Sequence, residues 1–231
     1  MCGRMTMTYA DATLLADELG VPVEELDHAE FRPRYNIAPT DPYYIVRIKD
    51  EGRELVAARW GLVNSWAKDA SMAARQINAR AETLAARPAF REAFQKRRCI
   101  VPADGFYEWT GPKTDRQPFW FHRPEGGLLF MAGLYESWQA KPGEWQRTFT
   151  VVTTVANETM APYHDRMPVV LDEDAASRWM FATTPSEQLH RLLAPPPARG
   201  LIATAVSKRV NSVANDDPGV LTPDPVAPRL L

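Results

Sequence analysis

The pattern of hydrophobic and polar positions predicts a chain whose middle is built mainly from β-strands. Residues 43–49 and 54–60 are apolar-rich segments on either side of Asp50-Glu51-Gly52, which is typical of a β-hairpin. Residues 98–110 indicate a strand, a turn at 103–105 and a second strand. Further strands are predicted at 118–122, 128–138, 145–155 and 201–206. We interpret the run from 118 to 155 as a meander at the centre of an antiparallel sheet.

Helical spacing occurs on both sides of this strand-rich region. Leu14, Leu15 and Leu19 share one side of a helix predicted over residues 11–19, and Gly20 is placed as its C-terminal stop. A second helix, with Pro88 in its first turn, is predicted to end at Lys96. Two late helices are predicted over 172–180 and 185–193. We therefore predict an α+β fold in which curved antiparallel β-sheets form a barrel-like core flanked by short helices.

Length and composition favour one globular domain. The chain has 231 residues, of which 45% are hydrophobic and 24% charged, as is usual for a protein with a large core. No linker divides it, so residues 1–221 are predicted to form the domain and the Pro-rich residues 222–231 a disordered tail. It has no apolar run of about 18 residues and no secretory-signal pattern, so we expect a cytoplasmic protein without a membrane partner.

Charge and cysteine content limit the partners. With a net charge of −2, binding to a polyanion requires a local basic groove rather than the overall field of the protein. The two cysteines, Cys2 and Cys99, lie far apart and lack metal-type spacing. We therefore predict no disulfide framework, no metal site and no cofactor.

The first four residues, Met1-Cys2-Gly3-Arg4, carry the most unusual candidate chemistry. Removal of Met1 exposes an α-amine, with a pKa near ~8, beside a thiol with a pKa near ~8.5 that nearby cations can lower. The amine can condense with an aldehyde to a Schiff base, and the sulfur can then add to the same carbon and close a thiazolidine ring. The alternative is that Cys2 has no chemical role.

Three other positions are candidates for chemistry or recognition. Glu108 interrupts an aromatic strand and can act as an acid if it faces a pocket. His164 lies in a loop, with Arg166 two residues further on. Trp66, also in a loop, either packs into the core or offers a stacking surface.

Six motifs, in the same order along the chain, resemble the SOS response-associated peptidase (SRAP) family, the abasic-site processing proteins. They extend from residue 2 to about Asn211 and so cover nearly the whole chain. The motifs are Met1-Cys2-Gly3-Arg4, Tyr35-Asn36-Ile37-Ala38-Pro39-Thr40, Trp60-Gly61-Leu62, Asn78-Ala79-Arg80-Ala81-Glu82-Thr83, Gly105-Phe106-Tyr107-Glu108-Trp109 and His164-Asp165-Arg166-Met167-Pro168.

The resemblance implies a protein that binds single-stranded DNA at abasic sites and becomes joined covalently to the sugar aldehyde, shielding the lesion in the DNA damage response. By similarity, Cys2 is the nucleophile, Asn78 positions the N-terminal residue and the sugar, Glu108 transfers protons and His164 acts beside it. This is a crosslinking or lyase-type activity, with N-terminal autopeptidase activity as a further implication. The partner would be abasic single-stranded DNA, bound by a monomer that is nucleoid-associated when on DNA.

The resemblance also implies a set of DNA-binding residues, namely Arg4, Trp66, Arg80 and Arg166. The three arginines would hold flanking phosphates, and Trp66 would stack on bases or wedge between them. The sequence departs from the family pattern at Asn64, where proline is frequent, and at Ala67, where some members have a second aromatic. The wedge at the abasic gap is therefore expected to be smaller or differently shaped.

Three alternatives remain open. In one, Cys2 and His164 are the nucleophile and base of a cysteine peptidase, although no clear oxyanion device is present. In another, the chain is a damaged-DNA binding module in which Cys2 only packs. A third alternative, metal binding by Cys2, Cys99 and histidines, lacks support from their spacing.

Overall fold

The computed structural model of the protein describes residues 2–28, 31–50 and 52–224. Within these ranges the chain forms thirteen strands and five α-helices. The strands are β1 (Met5–Met7), β2 (Arg34–Ile37), β3 (Pro42–Lys49), β4 (Gly52–Trp60), β5 (Asn78–Arg80), β6 (Arg98–Ala103), β7 (Gly105–Thr110), β8 (Gln117–His122), β9 (Leu129–Lys141), β10 (Glu144–Val155), β11 (Arg166–Pro168), β12 (Val170–Leu171) and β13 (Ile202–Ala205). The helices are α1 (Ala12–Leu19), α2 (Glu24–His28), α3 (Pro88–Lys96), α4 (Glu173–Met180) and α5 (Ser186–Leu192).

Five of the strands close into a barrel. Antiparallel pairings join β4 to β3, β3 to β6, β6 to β9 and β9 to β10. The barrel closes where β10 pairs with β4 in parallel, with Phe149 opposite Trp60. These two rings stack with their centroids 6.1 Å apart, and both are fully buried. The α+β fold with a barrel-like core is thus confirmed, although one barrel pairing is parallel.

The other five-stranded sheet has the order β13-β8-β7-β1-β2. This sheet carries Glu108 on β7. Its first strand along the chain, β1, starts shortly after Cys2. The predicted meander over residues 118–155 is wrong in one respect, because β8 pairs with β7 and β13, while β9 belongs to the barrel. The chain crosses between the sheets near Gly126 and Gly127, whose φ angles of 75° and 93° suit glycine.

The helix boundaries follow the capping residues in the sequence. Asp11 accepts hydrogen bonds from the first turn of α1, and Gly20, at φ 66°, ends it. Asp172 caps α4, and Pro88 begins α3. Among the described residues, no helix combines the length and the apolar character needed to cross a membrane.

The chain beyond β13 packs back onto the second sheet. Ser207 N donates to Thr222 O (2.9 Å), and Asp224 N donates to Ala205 O (3.0 Å). Asp216 accepts hydrogen bonds from the main-chain N–H groups of Tyr35 (2.6 Å) and Asn36 (2.8 Å) in β2. Residues 225–231 of the predicted tail lie outside the described residues, so the domain boundary at 221 stays a prediction.

A candidate active site around Cys2

Cys2 lies directly before β1, which is an inner strand of the second sheet. Its side chain is fully buried, and its Sγ lies 3.8 Å from the carbonyl oxygen of Arg4. That carbonyl accepts a hydrogen bond from Tyr107 N on β7 (3.1 Å). The start of the chain is therefore held beside the strand that carries Glu108.

Asn78 ties Cys2 to the barrel. It begins β5, which runs parallel to β10 with Asn78 opposite Val151. Asn78 Nδ2 donates a 2.8 Å hydrogen bond to Cys2 O. Its other polar atom, Oδ1, is buried and has no hydrogen-bond partner among the described residues. An acceptor in this position is free to receive a donor such as an α-amine.

The Cys2 thiol is held in its neutral form. Burial raises the pKa of the Cys2 thiol above its ordinary range, and Glu108 raises it further whenever its carboxyl group is ionised. The expectation of a thiol acidified by nearby cations is therefore wrong, because desolvation and a carboxyl group dominate its surroundings. Glu108 itself is only 5% exposed. The sulfur at this site needs a base to accept its proton before it can react.

His164 lies on the turn between β10 and β11, which covers the Glu108 face of β7. Tyr163, its neighbour, packs against Phe119 with ring centroids 4.7 Å apart. Phe119 on β8 is directly opposite Glu108. Since cross-strand partners point to the same side of a sheet, this turn and Glu108 share one face.

The imidazole of His164 has two competing neighbours. Its Nδ1 accepts a 2.9 Å hydrogen bond from Arg166 N and lies 2.7 Å from Asp165 Oδ1. One nitrogen cannot accept from an N–H and donate to a carboxylate at the same time. The neutral ring with its proton on Nε2 fits the Arg166 contact, whereas a protonated Nδ1 fits Asp165. The ring is 29% exposed, so this choice is accessible to solvent protons.

Arg4 lines a cleft that opens next to the site. Its guanidinium donates to Asn36 Oδ1 (2.7 Å) and Val210 O (3.0 Å) and lies 5.7 Å from the ring centroid of Trp109. The cleft has a volume of about 380 Å³, and Lys113 and Arg116 also line it. Asp115 lines the cleft as well, and its carboxylate pairs with Lys208, so the three cations outnumber the one anion and favour phosphate groups.

The remaining DNA-binding candidates differ in accessibility. Trp66 is 67% exposed and Arg80 is exposed. Arg166 is only 9% exposed, because its guanidinium forms a two-pronged pair with Glu82 (2.8 and 2.9 Å) and donates to Thr153 O (2.7 Å). The roles that the resemblance implies for these residues stay predictions.

Sequence reasoning assigned no role to several residues that build the site. Glu82 and Asn36 both lie inside motifs quoted for the resemblance, so their positions in those motifs were a usable signal. Trp109, which contacts the Arg4 guanidinium, also directly follows Glu108. Asp216, which binds the main chain of β2, had no such signal.

Fold and site together define a class of proteins in which a closed barrel packs with a second sheet, and a buried cysteine near the start of the chain lies beside a carboxamide and a carboxyl group. A family model described as SOS response associated peptidase (SRAP) matches residues 1–213. The chain belongs to this family.

Relatives and solved structures agree with this assignment. The chain is 37% identical over 224 residues to the abasic site processing protein YoqW of Bacillus subtilis (strain 168), covering 96% of this chain and 99% of the relative. It is 32% identical to the abasic site processing protein HMCES of Gallus gallus, covering 96% of this chain and 78% of the relative. A crystal structure of a protein from Bacteroides thetaiotaomicron matches with a TM-score of 0.84 and 26% identity, covering 96% of this chain and all of that one.

Proposed function

We propose that this chain processes abasic sites in single-stranded DNA by forming a thiazolidine between Cys2, once Met1 is removed, and the open-chain sugar aldehyde. The observation that carries the proposal is the hydrogen bond from Asn78 Nδ2 to Cys2 O, at 2.8 Å. It fixes the residue that presents both nucleophiles, beside the buried carboxyl of Glu108. Family membership and the names of the relatives support the same substrate.

The first step is release of the aldehyde. An abasic sugar rests mainly as a closed hemiacetal, so an acid must protonate the ring oxygen while the hydroxyl on C1 loses its proton. Glu108 is the acid in this proposal and becomes a carboxylate when it gives up its proton.

The second step is ring formation. The α-amine of Cys2 adds to the aldehyde carbon and water leaves, which gives an imine. The sulfur then adds to the imine carbon, the thiol proton moves to the nitrogen, and the net products are one thiazolidine and one water. Because the Cys2 thiol is neutral in its buried position, a base must accept its proton first. The Glu108 carboxylate left by the first step is suited to this transfer, and His164 relays protons from the exposed side.

The cleft beside Cys2 supports binding of the strand at its phosphates. Arg4 sits in the cleft with Lys113 and Arg116, and its guanidinium is oriented by Asn36. Arg80 is exposed and Trp66 is 67% exposed, so the protein also offers the strand an accessible cation and an accessible stacking ring. Such contacts are independent of base identity, which suits recognition of a lesion without a base. The proposal implies action in the cytoplasm, at the nucleoid.

Intact mass spectrometry of the protein mixed with an abasic single-stranded oligonucleotide tests the proposal. We expect an adduct whose mass equals the sum of both components less one water. Cys2→Ala abolishes it, whereas Cys99→Ala, the matched change at the other buried cysteine, leaves it. DNA binding without an adduct indicates a binding module, and cleavage of a separate peptide substrate without any DNA adduct indicates a general peptidase; either result contradicts the proposal.

The thiazolidine chemistry depends on removal of Met1. Because the family is described as a peptidase, self-processing is one route by which Met1 could be removed. We propose that the Cys2 sulfur attacks the Met1 carbonyl carbon, that the bond to the Cys2 nitrogen breaks as the thiol proton moves to that nitrogen, and that water then hydrolyses the resulting thioester and releases methionine. Protein synthesised with methionine aminopeptidase inhibited will then still lose Met1, and its Cys2→Ala variant will retain it. Retention of Met1 in both proteins assigns the removal to the aminopeptidase instead.

A further inference from the structure

A groove separate from the Arg4 cleft lies where β4 and β10 meet at the closing seam of the barrel. Its volume is about 560 Å³, and its walls include Thr40, Arg59, Trp145 and Arg147. Thr148 on β10 is paired with Arg59 on β4, so Arg59 and Arg147 lie one register position apart across the seam, and both line the groove. None of the residues assigned to the abasic-site chemistry lines this groove.

The groove combines an exposed aromatic ring with two cations. Trp145 is 66% exposed, although a large apolar ring gains free energy when it is covered. Arg59 Nε donates to Thr40 O at 2.8 Å, which orients the guanidinium and leaves its two terminal nitrogens for other acceptors. Among the described residues, those that line the groove include no carboxylate. Its charge therefore complements an anion, and its ring complements a flat apolar surface.

One short segment of the chain, residues 40–42, connects the groove with the surroundings of Arg4. Thr40 and Pro42 line the groove, and between them Asp41 points its carboxylate away, to an ion pair with Arg34 (2.9 Å). Asp41 is also close enough to Arg4 to interact with it electrostatically.

The backbone at this junction is unusual. Thr40 has a φ of 72°, in the left-handed region that β-branched residues rarely adopt. Two hydrogen bonds hold it there, from Thr40 N to Trp60 O (2.8 Å) and from Arg59 Nε to Thr40 O. The strained conformation of Thr40 directs its carbonyl oxygen toward Arg59 Nε. The fold thereby fixes the Arg59 guanidinium at the groove.

We propose that this surface, the Trp145 groove, binds the single strand at nucleotides outside the lesion. One base stacks on Trp145, and Arg59 and Arg147 bind the phosphates on either side. Aromatic stacking beside guanidinium groups is the arrangement that holds single strands without reading their sequence. The inference rests on the proposed function only in that it places the strand at Arg4, and it adds a second anchoring point.

Fluorescence anisotropy with undamaged single-stranded DNA of two lengths, roughly 6 and roughly 20 nucleotides, tests the groove. For wild type we expect the long oligonucleotide to bind more tightly than the short one. Trp145→Ala lowers the ratio of long to short affinity about tenfold, and Trp145→Phe restores most of it because the stacking face remains. Arg147→Ala flattens the dependence of log K on log salt by about 0.7 for the long strand. Arg191→Ala, the matched loss of an exposed cation on α5, does not change the slope.

The outcomes separate this inference from the proposed function. If wild type forms the abasic adduct but Trp145→Ala and Arg147→Ala bind the long strand as wild type does, the groove is not a DNA site and the adduct chemistry stands. An equal loss of affinity for both lengths also contradicts the proposal that the groove binds DNA. The substitution would then act at the Arg4 cleft or on the fold as a whole. If the length ratio depends on Trp145 but no adduct forms, the groove stands and the thiazolidine chemistry fails.

Discussion

Asn78, on the strand β5 that pairs with barrel strand β10, holds Cys2 ahead of the second sheet through a 2.8 Å hydrogen bond between its Nδ2 and the Cys2 carbonyl oxygen, across 76 positions of sequence. Asn78 is itself fixed by the pairing of β5 with β10. The position of the N-terminal residue is therefore set by the fold rather than by a free chain end. Such fixed geometry is what lowers the entropic barrier to ring closure.

Replacing Asn78 is expected to slow adduct formation more than it weakens DNA binding. Asn78→Ala removes the donor to Cys2 O, and Asn78→Asp places an acceptor against that carbonyl. We expect adduct formation about 10- to 100-fold slower in both, with Asn78→Asp the slower, because misplacement of a reacting group costs rates of this order. Timed intact mass spectrometry measures the rate, and anisotropy measures the binding.

Thermal unfolding is the control for these two variants. Melting temperatures within a few degrees of wild type attribute the slower rate to the site rather than to the fold. A rate equal to that of wild type in Asn78→Ala would contradict a positioning role for this side chain.

The contact between Asn78 and Cys2 also shows where sequence reasoning stops. Asn78 was identified by its motif, but a three-residue strand has no alternation that indicates pairing with β10 in parallel. The same limit applies to β2, whose four residues lie between Pro33 and Pro39 and show no strand pattern of their own. By contrast, β3 and β4 were predicted because two apolar-rich segments flank a local turn. Arg166 is buried because it pairs with Glu82, which lies 84 positions earlier in the chain. A pattern among neighbouring residues cannot indicate a contact between positions so far apart.

Arg80 and Arg166 are expected to respond differently to truncation. Arg80 is exposed, so Arg80→Ala should leave the free energy of unfolding within about 0.5 kcal/mol of wild type. If it binds a phosphate, the same change reduces the salt slope of single-strand binding by about 0.7. Arg166→Ala should destabilise the fold by about 1–3 kcal/mol, because Glu82 and the Thr153 carbonyl lose their donor. Urea denaturation and salt titration separate the two effects.

Glu82 supplies the second variant for this comparison. The hydrogen bonds from Arg166 lower the pKa of Glu82, so their contribution is present above the ordinary carboxyl range and is lost as pH falls through the lowered pKa. Glu82→Gln should therefore reduce the acid sensitivity of unfolding between about pH 5 and 3. Loss of stability with Arg80→Ala but not with Arg166→Ala would contradict the expectation that Arg166, and not Arg80, stabilises the fold.

The two buried thiols are expected to make the fold sensitive to alkali. Burial raises the pKa of both Cys2 and Cys99 above their ordinary values, with Glu108 adding to the effect at Cys2. Above about pH 8.5 the unfolded chain releases thiol protons that the folded chain keeps, so the free energy of unfolding falls as pH rises. The limiting slope is about 1.4 kcal/mol per pH unit for each thiol.

Urea denaturation at several pH values between about 8 and 9 measures the onset of this slope, before most unfolded-state tyrosines ionise. Cys99→Ala should remove about half of it while leaving Cys2 in place. A slope in Cys99→Ala as steep as that of wild type would show that Cys99 ionises equally in both states.

Arg98 is expected to be the arginine on which the packing of helices against the barrel depends most. It begins β6 and is 3% exposed. Its guanidinium donates to four carbonyl oxygens at the ends of α3 and α4, those of Phe94, Gln95, Trp179 and Phe181. Arg98→Leu fills similar space but leaves these carbonyls without their donor, so we expect a loss of about 3 kcal/mol or more in the free energy of unfolding. Urea denaturation measures it, with Arg91→Ala on the exposed face of α3 as a control expected to stay within about 0.5 kcal/mol of wild type. If Arg98→Leu is as stable as Arg91→Ala, the helix ends are satisfied by water and Arg98 does not secure them.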